Sequence, residues 1–406
     1  MMSKWEMVRL GDIFDIGSSK RVFESQWRES GVPFYRAREI VKLSENETIE
    51  NGIYIEQSMY DKYAKIYGIP SVGDIMVTGV GTLGVCYIVK PDDKFYFKDG
   101  NILWFKRKTD VCSAYVSLVF KSNYMKEQIA KHSSGTTVGT FTIATAKKIE
   151  IPLPPLDTQK KIADILDRAA ALIEKRKAQI EKLDLLVKSQ FIEMFGDPMT
   201  NPMGWEKTKL GNLTDNIIAG ESLNGEARQL LPGEKAVLKV SAVTYGFFKD
   251  DEYKVLLNAD EIKKNVYPRK GDLLFSRANT REMVGATALV KRDYPDLILP
   301  DKLWKLVLSN SVNAVYVKFA LSSESIRAAL SELATGTSGS MYNISMEKLR
   351  NISIPVSPLT LQNCFADFVH AADKSKFEMQ RGLVKLELLY KSLMQKCFVG
   401  ELVSNG

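Results

Sequence analysis

The chain has 406 residues, 45% hydrophobic and 26% charged, which excludes a disordered or collagen-like chain and leaves room for two domains with connecting helices. A formal net charge of +7 and a pI near 8.9 permit a nucleic-acid partner without requiring one. Four scattered cysteines without a C-x-x-C, and only two histidines (His132 and His370), argue against a disulfide framework, a zinc site or histidine-based catalysis.

The opening MMSKWEMVRLGD lacks the apolar core of a signal peptide, and no run approaches about 18 consecutive apolar residues. A cytoplasmic chain without membrane contact is therefore expected. After the apolar Val32-Pro33-Phe34 comes Tyr35-Arg36-Ala37-Arg38, a basic stretch suited to DNA. GDIMVTGV and GVCYIVK read as short strands. Between them, Gly79 to Gly84 spell G-x-G-x-x-G. A dinucleotide fold would need a helix next, and the following residues read as a strand. A glycine-rich turn is expected instead, with Thr82 exposed on it and within reach of DNA. AYVSLVFKSNYMKEQIAKH reads as one helix, and KIEIPLP as a last strand before a long helix.

In that helix Ile162, Leu166, Ala169, Ile173, Ile180, Leu183, Val187 and Met194 recur at spacings of four and three, with Arg176 at the one polar step. This is a heptad seam, and thirty-odd residues would span roughly 50 Å.

The second half repeats the first. Trp5-Glu6 and Leu10-Gly11 return as Trp205-Glu206 and Leu210-Gly211, Gly73-Asp74 as Gly271-Asp272, and Leu103-Trp104 as Leu303-Trp304. Ile151-Pro152, Pro155-Leu156 and Gln159 return as Ile354-Pro355, Pro358-Leu359 and Gln362, at a constant offset from there on. A second seam runs through Phe365, Val369, Ala372, Lys376, Met379, Leu383, Leu386, Tyr390 and Cys397. Drift in the mixed stretches and a locked register in the helices point to variable loops and a constrained helix length.

The expected architecture is α+β. Two similar mixed domains, 1–155 and 201–357, are each followed by a long helix, in 156–200 and 358–406. The helices pair as an antiparallel coiled coil, giving a pseudo-two-fold internal repeat. A pair of DNA half-sites about 34 Å apart could then be held by one helical ruler. The candidate DNA-binding residues are Arg36, Arg38 and Thr82, their counterparts around Lys239 and Ser241, and the polar run Ser276, Arg277, Asn279, Thr280 and Arg281. The hydroxyl-rich loops with Thr136, Thr137, Thr337 and Ser338 suit phosphate oxygens.

The string IPLPPLDTQKKIADIL before a long helix, its degenerate copy IPVSPLTLQNCFADFV, the W-x-x-x-x-L-G openings and the Gly-Asp strands resemble the specificity subunits of type I restriction–modification systems, over the whole chain. The second copy departs at Ser357, Cys364 and Phe365. The resemblance implies two target-recognition domains that read a split double-stranded DNA sequence. It also implies helices that set the spacing and dock two methyltransferase subunits, with restriction/translocase subunits joining the complex. The chain itself would carry no catalysis, no metal and no cofactor; S-adenosylmethionine, ATP and Mg would reside on the partners. In agreement, the sequence has no N/D-P-P-Y/F string, no P-loop and no PD…(D/E)-x-K pattern. A stand-alone DNA-modifying enzyme and a protein scaffold without DNA are the rival readings.

Overall fold

The computed structural model describes residues 4–50, 52–133, 139–258, 262–336 and 341–401. The chain divides into two compact units. One joins Met1–Lys177 to Arg381–Gly406, and the other is Ala178–Gln380. Each unit therefore holds one mixed domain and segments of both long helices. Among the described residues no helix is long and apolar enough to cross a membrane.

In the first unit, strand Met7–Arg9 pairs antiparallel with Glu150–Pro152, with Val8 opposite Ile151. A four-stranded sheet follows in the order Phe14–Gly17, Ile102–Arg107, Ile75–Thr78, Cys86–Ile88, and a three-stranded sheet in the order Ile53–Ile55, Val32–Tyr35, Tyr96–Phe97. Strand Ile75–Thr78 is buried along its whole length, so it reads as an apolar run without alternation. Its side chains still part to opposite faces, as the pleat requires. Ile75 and Val77 pack with Phe105, Tyr115 and Ile162, while Met76 packs with Trp104, Phe97 and Ile40.

The second unit repeats the strand order of this plan, with one step of register changed: Trp104 lies opposite Met76, whereas Trp304 lies opposite Phe275. Glu206–Lys209 pairs antiparallel with Ser353–Val356. The main sheet runs Thr214–Ala219, Leu303–Leu308, Leu273–Ser276, Thr287–Leu289, which is the same order of equivalent strands. The Gly-Asp pairs explain themselves. Gly73 and Gly271 sit at φ +86° and +89°, where a side chain would be strained. The following Asp74 and Asp272 accept a backbone N–H from Ser71 and Arg269 and so close the turn.

The predicted single helix over 114–132 is two helices, Ser113–Lys121 and Asn123–Ser133. Ser122 makes the break: its hydroxyl accepts the Met125 N–H and donates to the Val119 carbonyl, the behaviour that favours serine at caps over helix interiors. Ser323 does the same between Ala314–Ser322 and Glu324–Leu333.

The long helices are Leu156–Phe195, 40 residues, and Leu359–Val399, 41 residues. Each starts directly after the Pro-rich turn, so they run to roughly 60 Å, longer than the seams alone indicate. Each is followed by a glycine at positive φ, Gly196 at +73° and Gly400 at +81°. In the first unit Ile162 and Leu166 share a core with Cys397 and Phe398, with Tyr390, Leu393 and Met394 packed against it. Nearby, Lys177 Nζ lies 4.0 Å from Glu387. In the second unit Phe191 and Phe195 meet Phe365 edge-to-face at centroid distances of 5.4 and 5.5 Å. Lys376 Nζ binds Asp184 at 2.6 Å. Rising numbers in one helix meet falling numbers in the other, so the pairing in this unit is antiparallel. The remaining predicted seam residues Ile173, Ile180, Leu183, Val187, Val369, Met379, Leu383 and Leu386 are all buried or half-buried.

Candidate nucleic-acid interface

In the first mixed domain Arg36 and Arg38 converge on one carboxylate. Glu39, 3% exposed, receives Arg36 Nη2 at 2.9 Å and Arg38 Nε at 2.5 Å. Arg36 is 19% exposed and lies over the Trp27 ring at 5.8 Å, whereas Arg38 is 64% exposed. Their shared carboxylate cancels one of the two positive charges, and Arg38 is the one that faces solvent. Lys98 also rests over Trp27, at 5.9 Å. The Trp27 indole N–H is buried with no hydrogen-bond partner among the described residues, next to a cleft lined by Arg21, Phe23 and Lys98. The sequence reading missed this aromatic and basic cluster, because its members are 77 residues apart between Arg21 and Lys98 and only the fold joins them.

The Gly79–Gly84 segment is a turn between strands, with Gly81 and Gly84 at positive φ. Thr82 is exposed there, and its backbone carbonyl accepts from the Thr78 hydroxyl.

In the second mixed domain Lys239 lies 3.5 Å from Glu252, to which Ser241 donates at 2.8 Å. The Ser241 hydroxyl, with Lys239 beside it, holds the Glu252 carboxyl below its ordinary range. Ser276 is corrected as a DNA contact: it is fully buried, and its hydroxyl donates inward to the Ala278 carbonyl. As the last residue of a central strand it points beneath the loop rather than out of it. Arg277 is partly held by its own domain. Its Nε donates to the Asp301 carbonyl at 3.1 Å, and its guanidinium lies over Trp304 at 5.8 Å. Asn279 donates to the Thr244 hydroxyl at 3.0 Å and accepts the Thr280 N–H at 2.8 Å. Thr280 and Arg281 are exposed, with the Arg281 guanidinium 5.9 Å from the centre of the Tyr342 ring. Thr136, Thr137, Thr337 and Ser338 lie outside the described residues.

Each mixed domain thus presents a basic, polar loop region beside aromatic rings. Type I restriction modification DNA specificity domain is the description of the family that matches residues 2–182 and again 202–387. The chain belongs to this family.

Among curated members, the chain is 26% identical to the EcoKI specificity subunit of Escherichia coli over 309 residues, covering 72% of this chain and 66% of that one. It is 23% identical to the putative MjaX specificity subunit of Methanocaldococcus jannaschii over 98% of this chain and 93% of that one. The first three curated relatives are matched over 66%, 36% and 40% of their own length, two thirds or less in each case. Among solved structures, a chain from a type I restriction–modification complex superposes with a TM-score of 0.62 at 18% identity, covering 98% of both chains. The S subunit from M. genitalium gives 0.55 at 15%, over 98% of this chain and 96% of that one. These identities speak to the fold, and the two-domain mixed α/β architecture read from the sequence agrees with them.

Proposed function

We propose that this chain is the DNA sequence-recognition subunit of a type I restriction–modification complex. Its two mixed domains bind the two halves of a split double-stranded target, and the long helices set the gap between them. It supplies no catalytic group. S-adenosylmethionine belongs to two methyltransferase subunits, and ATP with Mg to the restriction/translocase subunits. The observation that carries this reading is the duplication itself. One fold is built twice with the same order of strands in its main sheet, and each copy opens a basic loop region toward solvent.

A docking role for the helices is supported by their outward residues. Leu172, Val384, Leu388 and Leu389 in the first unit are more than half exposed, as are Leu185 and Phe377 in the second. Leaving this many large apolar side chains in water has a cost that a partner subunit would remove.

The test is co-expression with the modification subunits in a host lacking other methyltransferases, followed by sequencing of methylated adenines. A single bipartite motif, absent without this chain, is expected. Adding four residues, about one turn, to the first long helix should alter the accepted gap and leave both half-sites unchanged. Methylation or cleavage by the purified chain alone would replace this reading with the stand-alone enzyme.

A further inference from the structure

Between the turn Val240–Ala242 and the strand Tyr253–Leu256 the second mixed domain carries Thr244-Tyr245-Gly246-Phe247-Phe248-Lys249. Its root is fixed. Val243 is fully buried, and Phe248 meets Tyr294 edge-on at 5.1 Å against the same core. The Lys249 N–H donates to the Ala242 carbonyl at 2.9 Å and closes the loop. Gly246, at φ +81°, turns the tip. On either side of it Tyr245 and Phe247 stand in solvent, 60% and 54% exposed.

Scattered exposed aromatics need no explanation, but this pair stands on an anchored loop and carries a cation. Lys249 Nζ lies 4.7 Å from the Tyr245 ring centre and 5.6 Å from that of Phe247. Of the nearby carboxylates, Asp250 is engaged by Arg292 at 2.8 Å and Glu252 by Ser241 and Lys239, while Asp251 is exposed. Thr244, the first residue of the segment, receives the Asn279 amide and so ties it to the loop that carries Arg281. Flat apolar rings, a lysine resting on them and an arginine loop alongside match the chemistry of nucleobases flanked by phosphates.

We infer that Tyr245 and Phe247 stack on bases at a locally opened step of the half-site bound by this domain, while Lys249 leaves the rings for a phosphate. This rests on the DNA-recognition function proposed above. Stacking tolerates any base, so these residues supply affinity and local unstacking, and base identity is left to the polar loop.

The test uses the full chain assembled with its modification subunits and a duplex bearing its mapped methylation motif. 2-Aminopurine is placed in turn at each position of the half-site assigned to the second domain. Wild-type complex should raise the emission at one step. Tyr245→Ala and Phe247→Ala should each weaken binding about ten-fold and abolish that rise. Tyr245→Phe should retain both, and Lys249→Ala should lower the slope of log affinity against log salt by about one. Unchanged affinity and emission in the alanine variants would overturn the inference. So would loss of subunit assembly on gel filtration with DNA affinity intact, which would make the loop a protein contact. A wild-type complex that binds the motif no better than random duplex would instead bring down the recognition function itself.

Discussion

Gln362 makes at the head of the second long helix the two hydrogen bonds that Gln159 makes at the head of the first. Gln159 accepts the Cys112 N–H at 2.9 Å and donates to the Pro154 carbonyl at 2.8 Å. Gln362 accepts the Asn313 N–H at 2.8 Å and donates to the Ser357 carbonyl at 2.7 Å. Both amides are buried, at 2% and 0% exposure. Each pins a long helix to the start of the helix pair and to the turn that follows strand Glu150–Pro152 or Ser353–Val356 in its own mixed domain. The glutamine in the recurring motif is therefore an internal clamp.

Replacing Gln362 by leucine keeps the volume but strands a buried N–H and a buried carbonyl. At about 1–3 kcal/mol for each such group, a loss of roughly 2–6 kcal/mol is expected in denaturant unfolding, and the same from Gln159→Leu. A loss below about 1 kcal/mol would show that the clamp is dispensable.

The polar step in the first seam has a matching gap. A Cβ built on Gly382 would come 2.9 Å from Arg176 Nη1. The intruding atom is the tip of a flexible side chain, which can move aside, while glycine inside a helix costs about 1 kcal/mol against alanine. Gly382→Ala should thus stabilise the chain by about 0.5–1 kcal/mol. A fall in Tm would mean that the guanidinium is held in place more firmly than the packing suggests.

Burial pushes the Lys318 ammonium down to about 8, with Lys188 and Lys291 acting the same way and Asp373 and Asp184 opposing. The unfolded chain then holds more protons than the folded one between about 8 and the ordinary lysine value of 10.5. Stability from this group therefore rises with pH across that window, and its penalty is fully present below it. Lys318→Met should raise Tm at pH 7 and flatten the rise between pH 8 and 10. A steeper alkaline profile in the variant would reverse the assignment.

Arg281 and Arg277 should separate in their effects. Arg281→Ala should weaken binding of the assembled complex to its target by about 1–3 kcal/mol if it reads a base, with Tm unchanged. Arg277→Ala should also lower Tm, because the guanidinium bonds the Asp301 carbonyl and lies over Trp304. Equal DNA affinity for wild type and Arg281→Ala would remove that residue from the interface.

The duplication, a few strands and the helix seams were legible in the sequence, since each depends on periodicity or repetition along the chain. Strand Ile75–Thr78 and the seam from Ile162 to Val187 are such cases. The break at Ser122 was not legible, because one capping hydroxyl outweighed an otherwise helical pattern. The candidate interface was read less well. Residue type in a polar run brought out Ser276 and Arg277 alike, yet only the pleat decides that Ser276 turns inward, and only the approach of Asp301 and Trp304 decides that Arg277 is partly engaged. Tyr245 and Phe247 look like core residues in sequence. Their exposure follows from the positive φ at Gly246 and from buried Val243 and half-buried Phe248 packing on the core on either side. Local pattern thus determined which segments form and repeat. Long-range packing determined which side chains remain free to meet a partner, because exposure depends on neighbours that the chain brings from far away.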